Sequence, residues 1–197
     1  MNDTLHVVTM IANPIRWKSR VAIARAAIMD WLREPNVHVT IVEVAHGARG
    51  YDLADLGEHM RVTHVPVRAA TLAWSKENCL NIGISRLPHD AKYIGTFDAD
   101  IHFRKSGWAA EAIHALQLYP VAQPWKTVYD LGPKDDHLHA HVSFASGNVS
   151  KMIDCWPGCR PPPKKPCSSR KTMSCDRLFA IPQRREQTVN IDRQIRK

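Results

Sequence analysis

The apolar residues of this chain repeat with two alternating periods over its first 130 positions. Leu5 to Ala12 is a short, nearly continuous apolar run, which is typical of a strand covered on both faces of a parallel sheet. From Ser19 to Leu32 apolar residues recur at helical spacing, and Pro35 ends the predicted helix. Val37 to Ala45 is rich in β-branched residues and predicts a second strand.

The alternation of strand and helix continues beyond this point. Further strands are predicted at residues 61–67, 92–97 and 121–129, and further helices from an N-cap at Ser75 to Arg86 and from Ser106 to Leu118. Such alternation predicts an α/β sandwich, a Rossmann-type arrangement with a mostly parallel sheet. In such folds ligands bind beyond the carboxyl ends of the strands. We therefore expect Asn13-Pro14, Glu43 to His46, and Asp98 to Asp100 to converge on one crevice.

The fourth predicted strand leads directly into Asp98-Ala99-Asp100. Two carboxylates two residues apart share one side of an extended segment, and hard carboxylate oxygens suit Mg²⁺ or Mn²⁺. About 0.8 matches to a DxD pattern are expected by chance in a chain with 13 aspartates, so the pattern gains weight only from its place at a strand end. Alternatively, the two carboxylates cap the next turn or pair with Arg104 and Lys105.

Other polar residues near these strand ends allow two interpretations each. Glu43 lies inside an apolar strand, where an unpaired carboxylate is costly, so it pairs with a base or meets a ligand. Lys76 could neutralise a phosphate, while Asn78 and Asn81 could hydrogen-bond a ribose or a base. The alternative for these three is a capped, solvated helix start.

Alternating histidines form a further candidate for metal binding. His137, His139 and His141 would share one face of a strand, as a metal site requires, or would simply be exposed positions on an edge strand. Asp135 and Asp136 beside them are open to the same two interpretations.

The chain contains no GxGxxG after its first strand, which argues against a dinucleotide-dependent dehydrogenase. It also contains no GxxxxGK[ST], no GxSxG and no HExxH motif.

The net charge of +8 is concentrated at the C-terminus. Residues 1–155 are neutral, whereas residues 156–197 hold 11 basic and 3 acidic residues and are rich in proline. We expect a folded domain over residues 1–147 and a largely disordered basic tail over residues 148–197, with an anionic partner as one role for the tail. Four of the five cysteines lie in or beside that tail, with spacings that favour unpaired cytosolic thiols over a zinc site.

The chain shows no signal of membrane insertion or export. No run of 18 apolar residues occurs, and the N-terminal residues lack the basic start and long apolar segment of a signal peptide. A cytoplasmic location is therefore expected.

Several blocks of the chain together resemble a known family. Residues 74–84 (WSKENCLNIGI), Leu87-Pro88, residues 92–94 (KYI), residues 97–101 (FDADI) and Trp108-Ala109-x-Glu111 occur in this order. They resemble nucleotide-sugar glycosyltransferases of the GT-A type, and most closely the family 2-like proteins of bacteria and phages. The resemblance covers roughly residues 5–147.

The resemblance implies a metal-dependent transfer of a sugar from a nucleoside diphosphate donor, for which we expect a UDP-sugar, to an unknown acceptor. Asp98 and Asp100 would match the DxD motif that binds Mn²⁺ or Mg²⁺ and the donor. Asn13 and Glu43 occupy strand ends where such enzymes hold the nucleoside. Lys76 and Asn81 match positions at a helix start that approach the donor.

The chain departs from the family in its last part. Family members continue with an acceptor-binding half, which often carries the catalytic base, whereas here the proline-rich basic tail follows. No residue can therefore be matched to a general base, and a truncated form is one hypothesis. Two alternatives to an active glycosyltransferase are a catalytically inactive nucleotide-sugar-binding protein and a nucleic-acid-associated protein that acts through its basic tail.

Overall fold

The computed structural model of the chain describes residues 3–73, 75–132 and 136–143. Its elements are β1 (Leu5–Ala12), α1 (Lys18–Trp31), β2 (Val37–His46), a short 3-10 helix (Ala54–Glu58), β3 (Val62–Ala69), α2 (Lys76–Ser85), β4 (Tyr93–Thr96), α3 (Trp108–Leu118), β5 (Thr127–Leu131) and β6 (His137–Val142). The predicted α/β fold with a mostly parallel sheet is confirmed. The predicted tail, the boundary at residue 147 and the four late cysteines lie outside the described residues.

Strands β1 to β4 form one parallel sheet with the order β3-β2-β1-β4. The chain therefore moves outward from β1 through β2 to β3, and then crosses back to add β4 on the other side of β1. Such a reversal is a topological switch point, where the loops on either side of the central strand diverge and leave a crevice. In this sheet the switch point, and the crevice expected from it, lie between the carboxyl ends of β1 and β4.

Helix α2 packs closely on one face of this sheet. Met10, Val42 and Val44 form a buried cluster with Cys79 of the helix. At Gly83 a Cβ atom would lie 2.4 Å from Cγ1 of Val8 and 2.9 Å from Cγ2 of Val42. These separations are shorter than van der Waals contact, so only glycine allows the helix to approach the sheet this closely.

The opposite face of the sheet is covered by α1. This helix buries Ala24, Ala27, Ile28 and Trp31, which recur at helical spacing along one side. The indole Nε1 of Trp31 donates a hydrogen bond of 2.8 Å to the carbonyl of Ile101. The rings of Phe97, Phe103 and Trp108 pack together after β4, with 5.4 to 5.7 Å between Phe97 and each of the other two ring centres.

The chain divides into two compact units, of which the first ends at Ile113 and the second begins at His114. Within the second unit, β5 and β6 form an antiparallel hairpin. The sequence placed a strand at residues 121–129, but β5 begins only at Thr127, so that prediction is largely wrong. No helix among the described residues is long and apolar enough to cross a membrane.

Two histidines face each other near the amino ends of the central strands. His6 of β1 lies directly opposite His38 of β2, and their ring centres are 5.7 Å apart. Both Nδ1 atoms are buried without a hydrogen-bond partner. Burial, and secondarily the neighbouring His38, lower the pKa of His6, while burial and the charge of Arg61 lower the pKa of His38. The negative charge of Asp90 raises the pKa of His6, but by less than burial and His38 lower it.

We expect Gly83→Ala to destabilise the protein by about 1–2 kcal/mol. Alanine in an exposed helix would add about 1 kcal/mol of stability through its propensity, but overpacking against Val8 and Val42 costs more than that. Urea denaturation followed by circular dichroism measures the difference. Gly50→Ala is the matched control, because a Cβ there meets no atom within 4 Å. Equal stability of the two variants would contradict the close approach of α2.

Folding stability should fall as the pH drops below about 6.5, the ordinary pKa of histidine. Since the folded state lowers the pKa of both histidines, protonation favours the unfolded chain, and the loss begins below the unfolded-state pKa. The variant His6→Phe/His38→Phe should flatten this dependence in urea denaturation between pH 7 and pH 5, and the exposed His114→Gln should not. An unchanged slope in the double variant would refute this origin.

Candidate functional site

The three strand ends singled out in the sequence lie at one edge of the sheet, but they do not form one closed pocket. Asn13 follows β1, Glu43 is near the end of β2, and Asp98 follows β4. Because β1 lies between β2 and β4, Asn13 is the central position of the three. Asn13 and Glu43 line a shared pocket, whereas Asp98 lies on the β4 side of the switch point.

The two aspartates of the DxD pattern lie in a turn. Strand β4 ends at Thr96, and the amide of Ile101 donates a 3.2 Å hydrogen bond to the carbonyl of Asp98. This bond closes a β-turn over residues 98–101. The expectation of an extended segment is therefore wrong, and the shared side of the two carboxylates no longer follows from strand alternation. Both side chains are exposed at the sheet edge.

Lys76 and Asp98 meet across the crevice. Lys76 is the first residue of α2, and its Nζ forms an ion pair with Oδ1 of Asp98. The side chain of Asp98 is 53% exposed, and that of Lys76 is 31% exposed, so both groups remain open to solvent. Lys105, an alternative partner for the aspartates in the sequence, instead pairs with Glu111.

The helix that carries Lys76 begins where the sequence predicts. Ser75 is the N-cap residue, but its hydroxyl lies 3.7 Å from the Cys79 sulfur and makes no capping hydrogen bond. Asn81 is exposed five residues after Lys76, which corresponds to a rotation of about 140° around the helix. Asn81 and Lys76 therefore point in different directions, and the structure does not bring Asn81 to the Lys76–Asp98 pair.

Glu43 is fully engaged by neighbouring protein groups. Its Oε1 accepts the amide of Asp52 at 2.5 Å, and its Oε2 accepts the amide of Leu53 at 3.1 Å. Oε2 is also 2.8 Å from Nε2 of His64 on the neighbouring strand β3. Of the two roles open in the sequence, the structure places Glu43 in a pair with a base, in which it also holds the loop after β2.

Asn13 organises the loop between β1 and α1. Its Nδ2 donates to the carbonyl of Trp17, and its Oδ1 accepts the amide of Trp17, both at 3.0 Å. Arg49, which the sequence reasoning missed, donates to the carbonyls of Asn13 and Pro14 at 3.3 and 2.7 Å. The signal that could have revealed Arg49 is its place between Gly47 and Gly50, in a loop at a carboxyl strand end.

A second arginine and its neighbours complete the support of this loop. Arg68 of β3 donates to the carbonyls of Gly47 and Arg49. Arg25 of α1 donates to the carbonyl of Asp52 and pairs with Asp55 at 2.6 Å. The hydrogen bond with Asp55 raises the pKa of Arg25, and the same contact lowers the pKa of Asp55.

The pocket beneath this loop is small. It has a volume of about 20 Å³ and is lined by Ile11, Asn13, Glu43, Val44, Ala45, His46, Arg49, Gly50 and Asp52. Such a volume holds about one water molecule, whereas ligand pockets usually measure about 300 to 1,000 Å³. A nucleotide would therefore have to lie across the open edge of the sheet.

The predicted donor-binding residues are divided between the two faces of the sheet. Val42 and Val44 pack against α2, so Glu43 between them points to the opposite face, toward Arg25 of α1. Lys76 belongs to α2 and pairs with Asp98 on the other side. A single ligand could contact both Glu43 and the Lys76–Asp98 pair only if it lay across the carboxyl edge of the sheet.

The alternating histidines lie on β6, in the second unit. All three are exposed, and Nε2 of His141 is 2.9 Å from Oδ2 of Asp130 on β5. The ring of His137 stacks on that of Tyr129 at 4.6 Å. Among the described residues no group of three or more His, Cys, Asp or Glu side chains could hold a metal ion by itself. Asp135 lies outside the described residues.

Comparison with known proteins adds no assignment to this geometry. No protein-family model matches the chain, and no curated protein matches it. The resemblance to nucleotide-sugar glycosyltransferases therefore depends on the sequence blocks themselves, and the roles of Asn13, Glu43, Lys76, Asn81, Asp98 and Asp100 in donor binding stay predictions.

Glu43→Gln should lower the free energy of unfolding by about 1–3 kcal/mol, because the amide replaces one acceptor by a donor that faces backbone N–H groups. Hydrogen exchange at the amides of Asp52 and Leu53 should accelerate in the same variant. Urea denaturation and exchange measured by NMR test both effects. The exposed Glu58→Gln is the control and should change stability by less than about 0.5 kcal/mol. Indistinguishable variants would contradict the anchoring role of Glu43.

Proposed function

We propose that this chain binds a nucleoside diphosphate sugar together with Mn²⁺ or Mg²⁺ and acts as a glycosyltransferase. The donor that we expect is a UDP-sugar. The observation that carries the proposal is the solvent-accessible ion pair between Lys76 and Asp98 at the switch point of the sheet. Ligands of open α/β sheets bind at this position, and a helix start faces it here.

The charges of the pair suit a metal diphosphate. Lys76 would contact a phosphate oxygen, while the carboxylates of Asp98 and Asp100 would contact the cation. Lys76 lies beside Asp98, where the cation would also bind, so binding of the donor and its metal would exchange one ion pair for two. The exchange leaves no charged group unpaired, which keeps the cost of ligand binding low.

The available donor atoms fit the proposed cation. Mg²⁺ is commonly held by one or two carboxylates together with substrate phosphates and water, and does not need a complete protein cage. The absence of a larger acidic or histidine cluster among the described residues is compatible with that coordination. The cation would supply charge stabilisation to the diphosphate leaving group, and Lys76 would add to it from the helix start.

Asn13 and Glu43 have an indirect part in this proposal. Their polar atoms hold the loops after β1 and β2, including Trp17, Asp52 and Leu53. These loops would form the wall against which the nucleoside lies. Asn13 and Glu43 would then contribute by fixing the loops and would not contact the nucleoside themselves. The proposal assigns no general base, because none of the described side chains is matched to that role.

Titration of the protein with UDP by calorimetry, with and without Mn²⁺, tests the proposal. We expect metal-dependent binding that Asp98→Asn and Asp100→Asn each weaken by about tenfold or more. Lys76→Gln should have opposite effects on the two ligands. Mn²⁺ alone should bind more tightly, because Lys76 no longer competes with it for Asp98, while UDP with Mn²⁺ should bind more weakly, because its phosphate loses the contact with Lys76.

Asp90→Asn is the matched control for the aspartates, because Asp90 is exposed and precedes β4, at the opposite end of that strand. It should leave UDP binding unchanged. Binding without any need for metal, or equal affinity of the Asp98 and Asp90 variants, would refute the proposal. Release of the sugar from UDP-sugars, measured on the same variants, distinguishes an enzyme from a protein that only binds the donor.

A further inference from the structure

Helix α1 is apolar on the side that faces away from the sheet. Ala22, Ala26 and Met29 fall at helical spacing opposite the buried side, and all three are exposed. Ile23 beside them is 46% exposed, and Met29 is 47% exposed. A helix on the surface of a soluble domain normally carries polar residues there, so this face indicates a partner.

The loop before the helix carries two more exposed apolar side chains. Ile15 is 67% exposed and Trp17 is 53% exposed. The loop is held in place, because the backbone of Trp17 bonds the Asn13 side chain and Arg16 adopts a left-handed φ of 63°. We call Ile15, Trp17, Ile23 and Met29, together with the basic side chains among them, the α1 surface.

The charges in the loop and in the first turn of α1 are all positive. Arg16, Lys18 and Arg20 alternate with apolar residues there, and the first acidic residue after Asp3 is Asp30 at the end of the helix, which pairs with Arg33. The guanidinium of Arg20 lies 5.5 Å from the centre of the Trp17 ring and also donates to the carbonyl of Ala12. Exposed tryptophan and aliphatic side chains interleaved with cations are the composition of segments that lie in a membrane interface.

We propose that the α1 surface docks on an anionic lipid bilayer. Ile15 and Trp17 would enter the interface, and the three basic side chains would contact lipid headgroups. A second copy of the chain would bring the same positive charge against it, and so would residues 156–197 with 11 basic and 3 acidic residues. A nucleic acid would match the charge and the indole, but it would leave Ile15, Ile23 and Met29 without a counterpart.

Vesicle flotation of the full chain tests this proposal. The protein should float with vesicles of phosphatidylcholine and phosphatidylglycerol, and much less with phosphatidylcholine alone. Ile15→Ser/Trp17→Ser should lower partitioning roughly tenfold or more. Met60→Ser/Leu72→Ser is the matched control, since these side chains are 89% and 74% exposed outside the surface, and it should float like the wild type.

The basic residues have a control of their own. Lys18→Gln should lower partitioning about fivefold, whereas Lys126→Gln, an exposed lysine elsewhere, should have no effect. If Ile15→Ser/Trp17→Ser floats like the wild type, the tail or another surface binds the lipid and the proposal is wrong. It is also wrong if the wild type stays unbound, or if the variants lose affinity for a single-stranded oligonucleotide instead. None of these readouts depends on UDP binding.

Discussion

Strand β1 is hydrogen-bonded along both of its edges, and the candidate site depends on that position. It pairs with β2 along its whole length, but with β4 only from Leu5 to Val8. Helix α2 lies in the connection from β3 to β4 and covers one face of the sheet, while α1 covers the other. The segment that follows the short β4 returns to α1 through the hydrogen bond between Trp31 and Ile101, and it carries the two aspartates at the carboxyl edge of the sheet. The site is thus a consequence of connectivity, since no single loop builds it.

The loops after β1 and β2 are held by polar contacts that limit what their side chains can bind. Glu43 uses both oxygens on the loop after β2 and on His64, and Asn13 uses its whole amide on Trp17. Such groups are stabilised by protein partners and contribute rigidity to the walls. The Lys76–Asp98 pair differs from them, because both side chains remain accessible to solvent and can exchange partners when a charged ligand arrives.

The proposed bilayer contact and the proposed donor site share the loop between β1 and α1. Asn13 at its start supports the crevice, and Ile15 to Lys18 at its tip belong to the α1 surface. A contact at the tip would therefore be only a few residues from the crevice, and would orient the carboxyl edge of the sheet relative to the membrane. The two proposals remain independent in their chemistry, since one depends on apolar insertion and the other on charge pairing.

Local patterns in the sequence determined the four strands of the parallel sheet and the three α-helices, because apolar periodicity reports directly which faces are buried. They also marked the strand ends, and with them Asn13, Glu43 and Asp98. Tertiary structure alone decided the rest. His64 lies 21 residues from Glu43, and the partner of Lys76 comes from the turn after β4, so neither pairing is visible in local spacing. The turn at Asp98 likewise depends on where β4 stops pairing with β1, which long-range hydrogen bonds set and side-chain periodicity does not.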